Sequence, residues 1–143
     1  MAKKHFKFER NTLAYLAEYL GCTPKSSHGK FVGFELWKEC LEGNEEAWEE
    51  MMEYNIQDVG TLEEVYLKLR PWMKEHPNIG INEESEALLC SKCGSSNLIM
   101  NGHTVTDISK FKLFRCQDCG GFSRSRSTEY PKMIRKDLLT TVR

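Results

Sequence analysis

Hydrophobic residues in the first half of the chain recur at the spacing of α-helices. The segment Leu13–Leu20 places apolar side chains at positions i, i+3, i+4 and i+7, a pattern that predicts a short amphipathic helix. Asn11 lies just ahead of this segment and is a candidate N-cap, while Gly21 follows as the residue that ends the helix. The next residues are rich in turn formers and predict a loop.

Two further helices are predicted before the middle of the chain. The segment Phe34–Leu41 reads as a second short helix, and Asn44 is a candidate N-cap for a third. The apolar pattern of the third helix continues until Pro71 stops it. Asparagine also caps helices internally, so the pattern leaves open whether this is one long helix or two that join at Asn55.

The second half of the chain has a different pattern. Residues 74–87 are polar and turn-rich, and residues 98–100 and 111–115 are strand-like. We therefore expect an α+β chain: a mainly helical N-terminal segment at residues 1–73, a linker at 74–87, a small β module at 88–128 and a basic tail at 129–143. The tail could be a short helix or disordered.

Length, charge distribution and hydropathy limit the kinds of protein that this chain can be. The chain has 143 residues and a net charge of −1, enough for one domain or for a smaller unit with an accessory module. The charge is unevenly distributed: residues 39–64 carry ten acidic and no basic side chains, whereas residues 110–143 carry nine basic and three acidic ones. This basic end is the candidate for contact with a polyanion. The N-terminus lacks an apolar signal segment and no apolar run is long enough to cross a bilayer, so we expect a cytoplasmic protein without membrane contact.

Four of the six cysteines form two Cys-x-x-Cys-Gly turns about twenty residues apart. In a chain without an export signal this spacing favours a metal site over disulfides, and the glycine after each pair permits the positive φ of a tight turn. The strand-like segments between the turns complete the pattern of a zinc ribbon. The predicted ligands of a structural zinc ion are Cys90, Cys93, Cys116 and Cys119.

Basic and aromatic side chains are interleaved within this module. The mixture suits phosphate contacts and base stacking, although some of the aromatic rings must fill the small core of the ribbon. A ribbon that only docks proteins is the alternative. We interpret His103 as a loop residue and not as a metal ligand. The predicted nucleic-acid contacts are Lys110, Lys112, Arg115, Arg124 and Arg126, interleaved with Phe111, Phe114 and Phe122.

Tyr54 and Asp58 stand four residues apart in the predicted third helix. They lie on one side of a continuous helix and stay close if Asn55 begins a new one. An aspartate there could hold a divalent ion while the tyrosine hydroxyl orients a metal-bound water, as phosphodiester hydrolysis requires. From these residues alone, the simpler interpretation is a tyrosine in the core beside a solvated aspartate.

The surroundings of this pair resemble a known family. They look like the third exonuclease motif of DnaQ-like 3′–5′ exonucleases, in particular the tyrosine-type DEDD subgroup of phages and polymerase proofreading domains. The upstream helical section is similar to the one that precedes this motif in phage versions, and the resemblance spans roughly residues 4–72. It rests on Leu36-Trp37, Ala47-Trp48, Met51, Tyr54-Asn55, Asp58-Val59, Leu62-Glu63, Tyr66 and Leu69-Arg70-Pro71-Trp72.

The resemblance implies a ribonuclease H-like fold in which four carboxylates surround two magnesium or manganese ions. Asp58 would then be the last metal ligand and Tyr54 the group that orients the attacking water. His28, in the loop before the second helix, would approach a substrate phosphate, although a single loop histidine is usually only solvated. The substrate would be DNA rather than RNA, in a bacterial cytoplasm or a phage-infected host.

The chain departs from the family in lacking the first motifs. No strand with Asp-x-Glu precedes Asn11, and one carboxylate does not hold two metal ions. The chain therefore looks like the C-terminal part of such a nuclease, inactive until a complementary chain supplies the rest. Trp37, Trp48, Met51 and Leu62 would form an exposed apolar face that a partner or self-association covers. The alternative is a non-catalytic zinc-ribbon module that binds nucleic acid or protein.

Overall fold

The computed structural model describes residues 2–24 and 29–140. The chain divides into two compact units, Met1–Leu69 and Arg70–Arg143. The first unit is helical and the second contains an antiparallel sheet, which confirms the α+β class. The finer division at residues 73, 87 and 128 stays a prediction.

The N-terminal unit is built on one long helix. Its elements are α1 (Ala2–His5), α2 (Leu13–Leu20), α3 (Phe34–Leu41) and α4 (Glu45–Leu69), and both α2 and α3 pack against α4. Asn55 lies inside α4, where its side-chain amide donates to the Met51 carbonyl at 2.8 Å instead of capping a new helix. The predicted third helix is therefore continuous.

The helix ends follow the capping chemistry of the sequence, with one correction. Gly21 takes a left-handed conformation with φ 60° after α2, and the Asn44 side chain accepts the Glu46 N–H at 3.1 Å ahead of α4, as predicted. The N-cap of α2 is Thr12 and not Asn11. Thr12 has the extended backbone of a cap, and its hydroxyl accepts the Tyr15 N–H three residues later.

The core of this unit lies where α3 crosses the first turns of α4. The buried residues there form one apolar cluster. Its members are Phe31, Leu36, Cys40, Ala47 and Met51. Further along, the Lys68 ammonium of α4 donates to the carbonyls of Leu20 and Gly21 at 2.5 and 2.9 Å, so α4 also satisfies the C-terminus of α2.

Three polar side chains of α4, seven residues apart, hold the loop between α2 and α3. Glu50 accepts backbone N–H groups of Gly29 and Lys30, both at 2.9 Å, and the Gln57 amide donates to the Pro24 carbonyl at 3.1 Å. Glu64 accepts the backbone N–H and the hydroxyl of Thr23 at 2.8 and 2.7 Å. These two bonds lower the pKa of the Glu64 carboxyl.

The C-terminal unit carries a three-stranded antiparallel sheet. Strand β1 (Leu98–Thr106) pairs with β2 (Ser109–Cys116), and β2 pairs with β3 (Phe122–Arg124) in the order β1-β2-β3. The strands extend the two segments predicted from the sequence and add a third. A short helix, α5 (Lys132–Arg135), follows in the basic tail.

The residues just ahead of the sheet pack on it. Short 3-10 helices cover Arg70–Trp72 and Ile79–Asn82. The Lys92 ammonium donates to the Met73 carbonyl, and the Ile79 N–H donates to the Ser91 carbonyl at 3.1 Å. The stretch predicted as a linker is therefore hydrogen-bonded to the ribbon at Ile79. Within the described ranges, no helix is long and apolar enough to cross a membrane.

Candidate metal centre and adjoining surfaces

The four predicted zinc ligands lie together. The sulfur atoms of Cys90, Cys93, Cys116 and Cys119 are all within 4.8 Å of one another. The Cys90–Cys119 and Cys93–Cys116 sulfur pairs are 3.7 and 3.6 Å apart. Neighbouring sulfurs of a tetrahedral site with Zn–S bonds of about 2.3 Å are about 3.8 Å apart. The cluster therefore has the size and donor set to hold a metal ion such as zinc.

Backbone geometry shapes each cysteine turn. Gly94 and Gly120, which follow the two pairs, have φ angles of 78° and 72°, the left-handed region that favours glycine. Backbone N–H groups also point at the sulfurs: Lys92 N lies 3.4 Å from Cys90 Sγ and Gly121 N lies 3.4 Å from Cys119 Sγ. Such contacts orient the ligands and offset the charge of thiolates.

Asp118 joins the two turns through hydrogen bonds. Its carboxylate accepts from the Ser95 hydroxyl at 2.5 Å and from the Asn97 amide at 2.8 Å. The Gln117 N–H adds a bond of 3.0 Å to the Asn97 carbonyl. The two side-chain bonds lower the pKa of Asp118. The second turn is thus held against the residues that follow the first.

The thiols of the cluster differ in acidity. Burial raises the pKa of Cys93 to about 12. Burial also opposes ionisation of Cys116, but the N–H groups of Cys119 and Asp118 outweigh it and lower its pKa to about 7. Because a metal displaces protons from its thiol ligands, binding at this site is coupled to pH.

The register of the sheet separates the predicted nucleic-acid contacts onto two faces. Side chains alternate along β2, and directly paired residues share a face. Arg115 pairs with Phe122, and Leu113 pairs with Arg124. The Arg124 guanidinium lies over the Phe111 ring at 4.2 Å from its centroid. We call this the aromatic–basic face: Phe111, Arg115, Phe122 and Arg124.

The opposite face carries the two lysines. Lys110 and Lys112 alternate with Phe111, and Lys112 pairs with His103. His103 therefore lies in β1 and not in a loop, since the strand continues beyond the segment predicted. Its ring contacts the Glu129 carboxylate, with Nε2 and Oε2 2.6 Å apart. Arg126 follows β3 and is exposed.

Tyr54 and Asp58 lie on the core-facing stripe of α4. Positions 47, 51, 54, 58, 61 and 65 follow one another at steps of three or four residues and so lie on one side of the helix. The other four members of this stripe are buried: Ala47, Met51, Thr61 and Val65. Both side chains are half-buried, and four helical residues separate them by about 6 Å along the axis. Asp58 is thus not a solvated acid on the outer face. His28 lies outside the described residues.

A second stripe of α4 exposes apolar side chains, and so does one side of α3. Trp37, Trp48 and Leu62 are more than half exposed, as predicted. Met51 is buried, so its prediction was wrong: it faces α3 in the core cluster. We call the exposed set the apolar face. It consists of Phe34, Trp37, Leu41, Trp48, Met52, Ile56, Val59 and Leu62.

Sequence reasoning missed the groups that support these sites. Nothing in the sequence separates the Asp118 carboxylate, or the loop-binding row of Glu50, Gln57 and Glu64, from ordinary surface acids and amides. Only the seven-residue spacing of Glu50, Gln57 and Glu64 indicates that these three side chains lie on one side of the helix.

Among the residues that the structure describes, the cysteine cluster is the one group of three or more possible metal-binding side chains close together. Comparison with known proteins adds no relative: no family model, curated protein or solved structure matches this chain.

Proposed function

We propose that this chain is the C-terminal part of a divalent-metal-dependent 3′–5′ exonuclease with a ribonuclease H-like fold. It acts on nucleic acid, DNA rather than RNA, and its zinc ribbon binds the substrate. Catalysis requires a complementary polypeptide that supplies further carboxylates. The observation that carries this proposal is the position of Tyr54 and Asp58 on the core-facing stripe of α4, together with the family resemblance of the residues around them.

An ionisable side chain on a core-facing stripe needs a physical reason. Taking a carboxylate partly out of water costs free energy, and apolar residues fill such stripes unless a polar group has a task there. We propose that the task of Asp58 is to bind a divalent cation, and that Tyr54, one turn away, orients a water on that ion. Asp58 supplies a single carboxylate, so the remaining ligands of a magnesium or manganese ion would come from the complementary polypeptide.

The apolar face supports the need for a complementary polypeptide. Large apolar surfaces on a soluble unit mark binding sites for other proteins. A complementary subunit or a second copy of the chain would bury these side chains.

In this proposal the ribbon binds the nucleic-acid substrate. Zinc bound by four cysteines has no open position for a reactant, so its role is to cross-link the two turns. The aromatic–basic face then offers aromatic rings for base stacking and guanidinium groups for phosphates, the combination that binds single strands without sequence preference.

The test is a nuclease assay on end-labelled single-stranded DNA, with magnesium or manganese, using the complex that the tagged chain purifies from its source cells. We expect stepwise shortening from the 3′ end. Asp58→Asn should lower the rate about 100-fold or more, because losing a metal ligand removes several kcal/mol of transition-state stabilisation. Glu53→Gln, an exposed acid on the same helix, is the matched control. Unchanged activity of the Asp58→Asn complex would contradict the proposal.

A non-catalytic nucleic-acid-binding module is the second candidate. It is favoured by the location of the aromatic–basic face, which lies wholly on one three-stranded sheet and requires no other polypeptide. This candidate predicts that the purified complex binds single strands without shortening them, and that Asp58→Asn leaves binding unchanged.

A further inference from the structure

A pocket lies on the lysine-bearing side of the ribbon sheet, away from the aromatic–basic face. Its volume is about 250 Å³, just below the range of roughly 300–1,000 Å³ for pockets that bury drug-sized ligands. One wall is the backbone strap at residues 78–89, and the other is formed by β2, β3 and the residues after β3. The space suits one small planar group.

The lining combines a ring, aliphatic walls and hydrogen-bond donors. Phe114, Leu88 and Leu89 provide apolar surface. The Asn78 carbonyl oxygen already accepts the Gly80 N–H at 3.0 Å, and the Ser85 hydroxyl oxygen accepts the Ala87 N–H at 3.1 Å. What these two side chains offer a ligand is therefore an amide N–H and a hydroxyl hydrogen. Such donors match the carbonyl and ring-nitrogen acceptors on the edge of a nucleobase.

The charge of the pocket is one-sided. Arg126, which follows β3, supplies its positive charge, because the Arg124 guanidinium lies over Phe111 on the opposite face. Within the described ranges no carboxylate lines the pocket. The acidic residues Glu84 and Glu86 lie on the strap next to it. A phosphate is therefore attracted toward the β3 side and repelled from the strap, which leaves the base to enter between them.

Arg124 connects this pocket to the aromatic–basic face, since it lines the pocket while its guanidinium lies over Phe111. We infer that the pocket binds one unstacked nucleotide of a single strand that passes from the aromatic–basic face around the edge strand β3. The base stacks against Phe114 and the leucines, and its phosphate pairs with Arg126. This inference rests on the proposed binding of nucleic acid by the ribbon.

The experiment uses the zinc-loaded full chain, labelled with nitrogen-15 and observed by NMR. Thymidine monophosphate, thymidine and inorganic phosphate are titrated separately, followed by a short oligothymidine. We expect the monophosphate to shift the amides of Leu88, Leu89 and Arg126 saturably, and thymidine to shift those of the two leucines. Leu88→Glu should weaken monophosphate binding about tenfold, as loss of one base contact does.

Leu88 is two-thirds exposed, so this variant should keep its fold, which the same spectra check. Arg126→Gln serves as a second variant on the phosphate side. Leu67→Glu, at an exposed leucine of the helical unit outside the apolar face, makes the same charge change as a control and should bind normally.

The outcomes separate this inference from the function on which it rests. If phosphate alone reproduces the whole pattern, the pocket is an anion site and the inference fails. If oligothymidine shifts only residues of the aromatic–basic face, the inference fails while nucleic-acid binding stands. If oligothymidine shifts neither surface, both fail.

Discussion

The two units of this chain reach stability by different means. The ribbon buries few large apolar side chains, and its tightest feature is the group of four sulfurs within 4.8 Å of one another. The helical unit has a conventional core around Leu36, which is fully buried. Yet the same unit exposes Trp37, Trp48 and Leu41 to solvent. The ribbon brings together four cysteines that could hold a metal ion, whereas the helical unit has an apolar core and leaves other apolar side chains exposed.

Under the proposed function, this difference assigns the two units different partners: nucleic acid for the ribbon and another protein surface for the helical unit. Small domains with little buried apolar area commonly use a structural metal in place of a larger core, and the four-cysteine cluster could hold one. The surface residues of the ribbon then remain available for a ligand. Exposed apolar side chains on a helix are better explained by a protein surface that would cover them. Four changes, from the largest expected effect to the smallest, test this contrast.

The largest effect is expected from removing a sulfur of the cluster. Cys93→Ser should release the metal and unfold the ribbon, since structural zinc contributes about 10–16 kcal/mol to the folding of small zinc domains. The helical circular dichroism should persist because α4 belongs to the other unit. Zinc content by mass spectrometry and NMR of the β1 and β2 amides are the measurements. Cys22→Ser, outside the cluster, is the control. Retained stoichiometric zinc in Cys93→Ser would exclude the proposed site.

Two leucines of α3 should respond very differently to truncation. Leu36→Ala should lower the free energy of unfolding by about 2–5 kcal/mol, because it leaves a cavity in the core. Leu41→Ala should change it by less than about 0.5 kcal/mol in the isolated chain, since that side chain is 86% exposed. Urea unfolding followed by circular dichroism measures both. If Leu41→Ala instead weakens self-association or partner capture, the apolar face is a binding surface. Equal destabilisation by the two changes would contradict the contrast.

Phe122→Ala tests the aromatic–basic face. Phe122 is 42% exposed, so its loss should leave the ribbon folded. Single-strand binding should weaken by about 1–3 kcal/mol, or roughly 5- to 150-fold in affinity. Fluorescence anisotropy at several salt concentrations gives the affinity, and Phe34→Ala in the helical unit is the control. An unchanged affinity would remove Phe122 from the binding surface.

The smallest effect concerns the loop-binding row of α4. Hydrogen bonds from Thr23 lower the pKa of Glu64, so its contribution to stability is complete above the unfolded pKa and is lost as pH falls through the lower folded value. Glu64→Gln should therefore be slightly less stable than the unaltered chain at neutral pH, with the difference vanishing in acid below about pH 4. Thermal unfolding across this pH range measures it, with the adjacent exposed Glu63→Gln as control. A difference that persists in acid would rule out this cause.

Several features could be predicted because they depend on neighbours in the chain. Local spacing and capping chemistry predict the position of α3, the start of α4, the left-handed glycine after α2 and the cysteine turns. The errors arose where local signals compete. Asn11 and Thr12 are both good caps, and only the path of the chain selected Thr12. Met51 belongs to an apolar pattern that is buried on one side of α4 and exposed on the other, and periodicity alone does not say which side faces α3.

The sequence by itself determined the two cysteine turns, whose four thiols could hold a metal ion, and the helices, because a Cys-x-x-Cys turn and an amphipathic repeat each act over a few residues. Only the tertiary structure decided which side chains share a surface. Strand register pairs Arg115 with Phe122 on one face of the sheet and Lys112 with His103 on the other. The packing of α4 places Asp58 on the core-facing stripe. These arrangements depend on how paired strands align and how helices pack, and the periodic patterns and caps used above do not fix either.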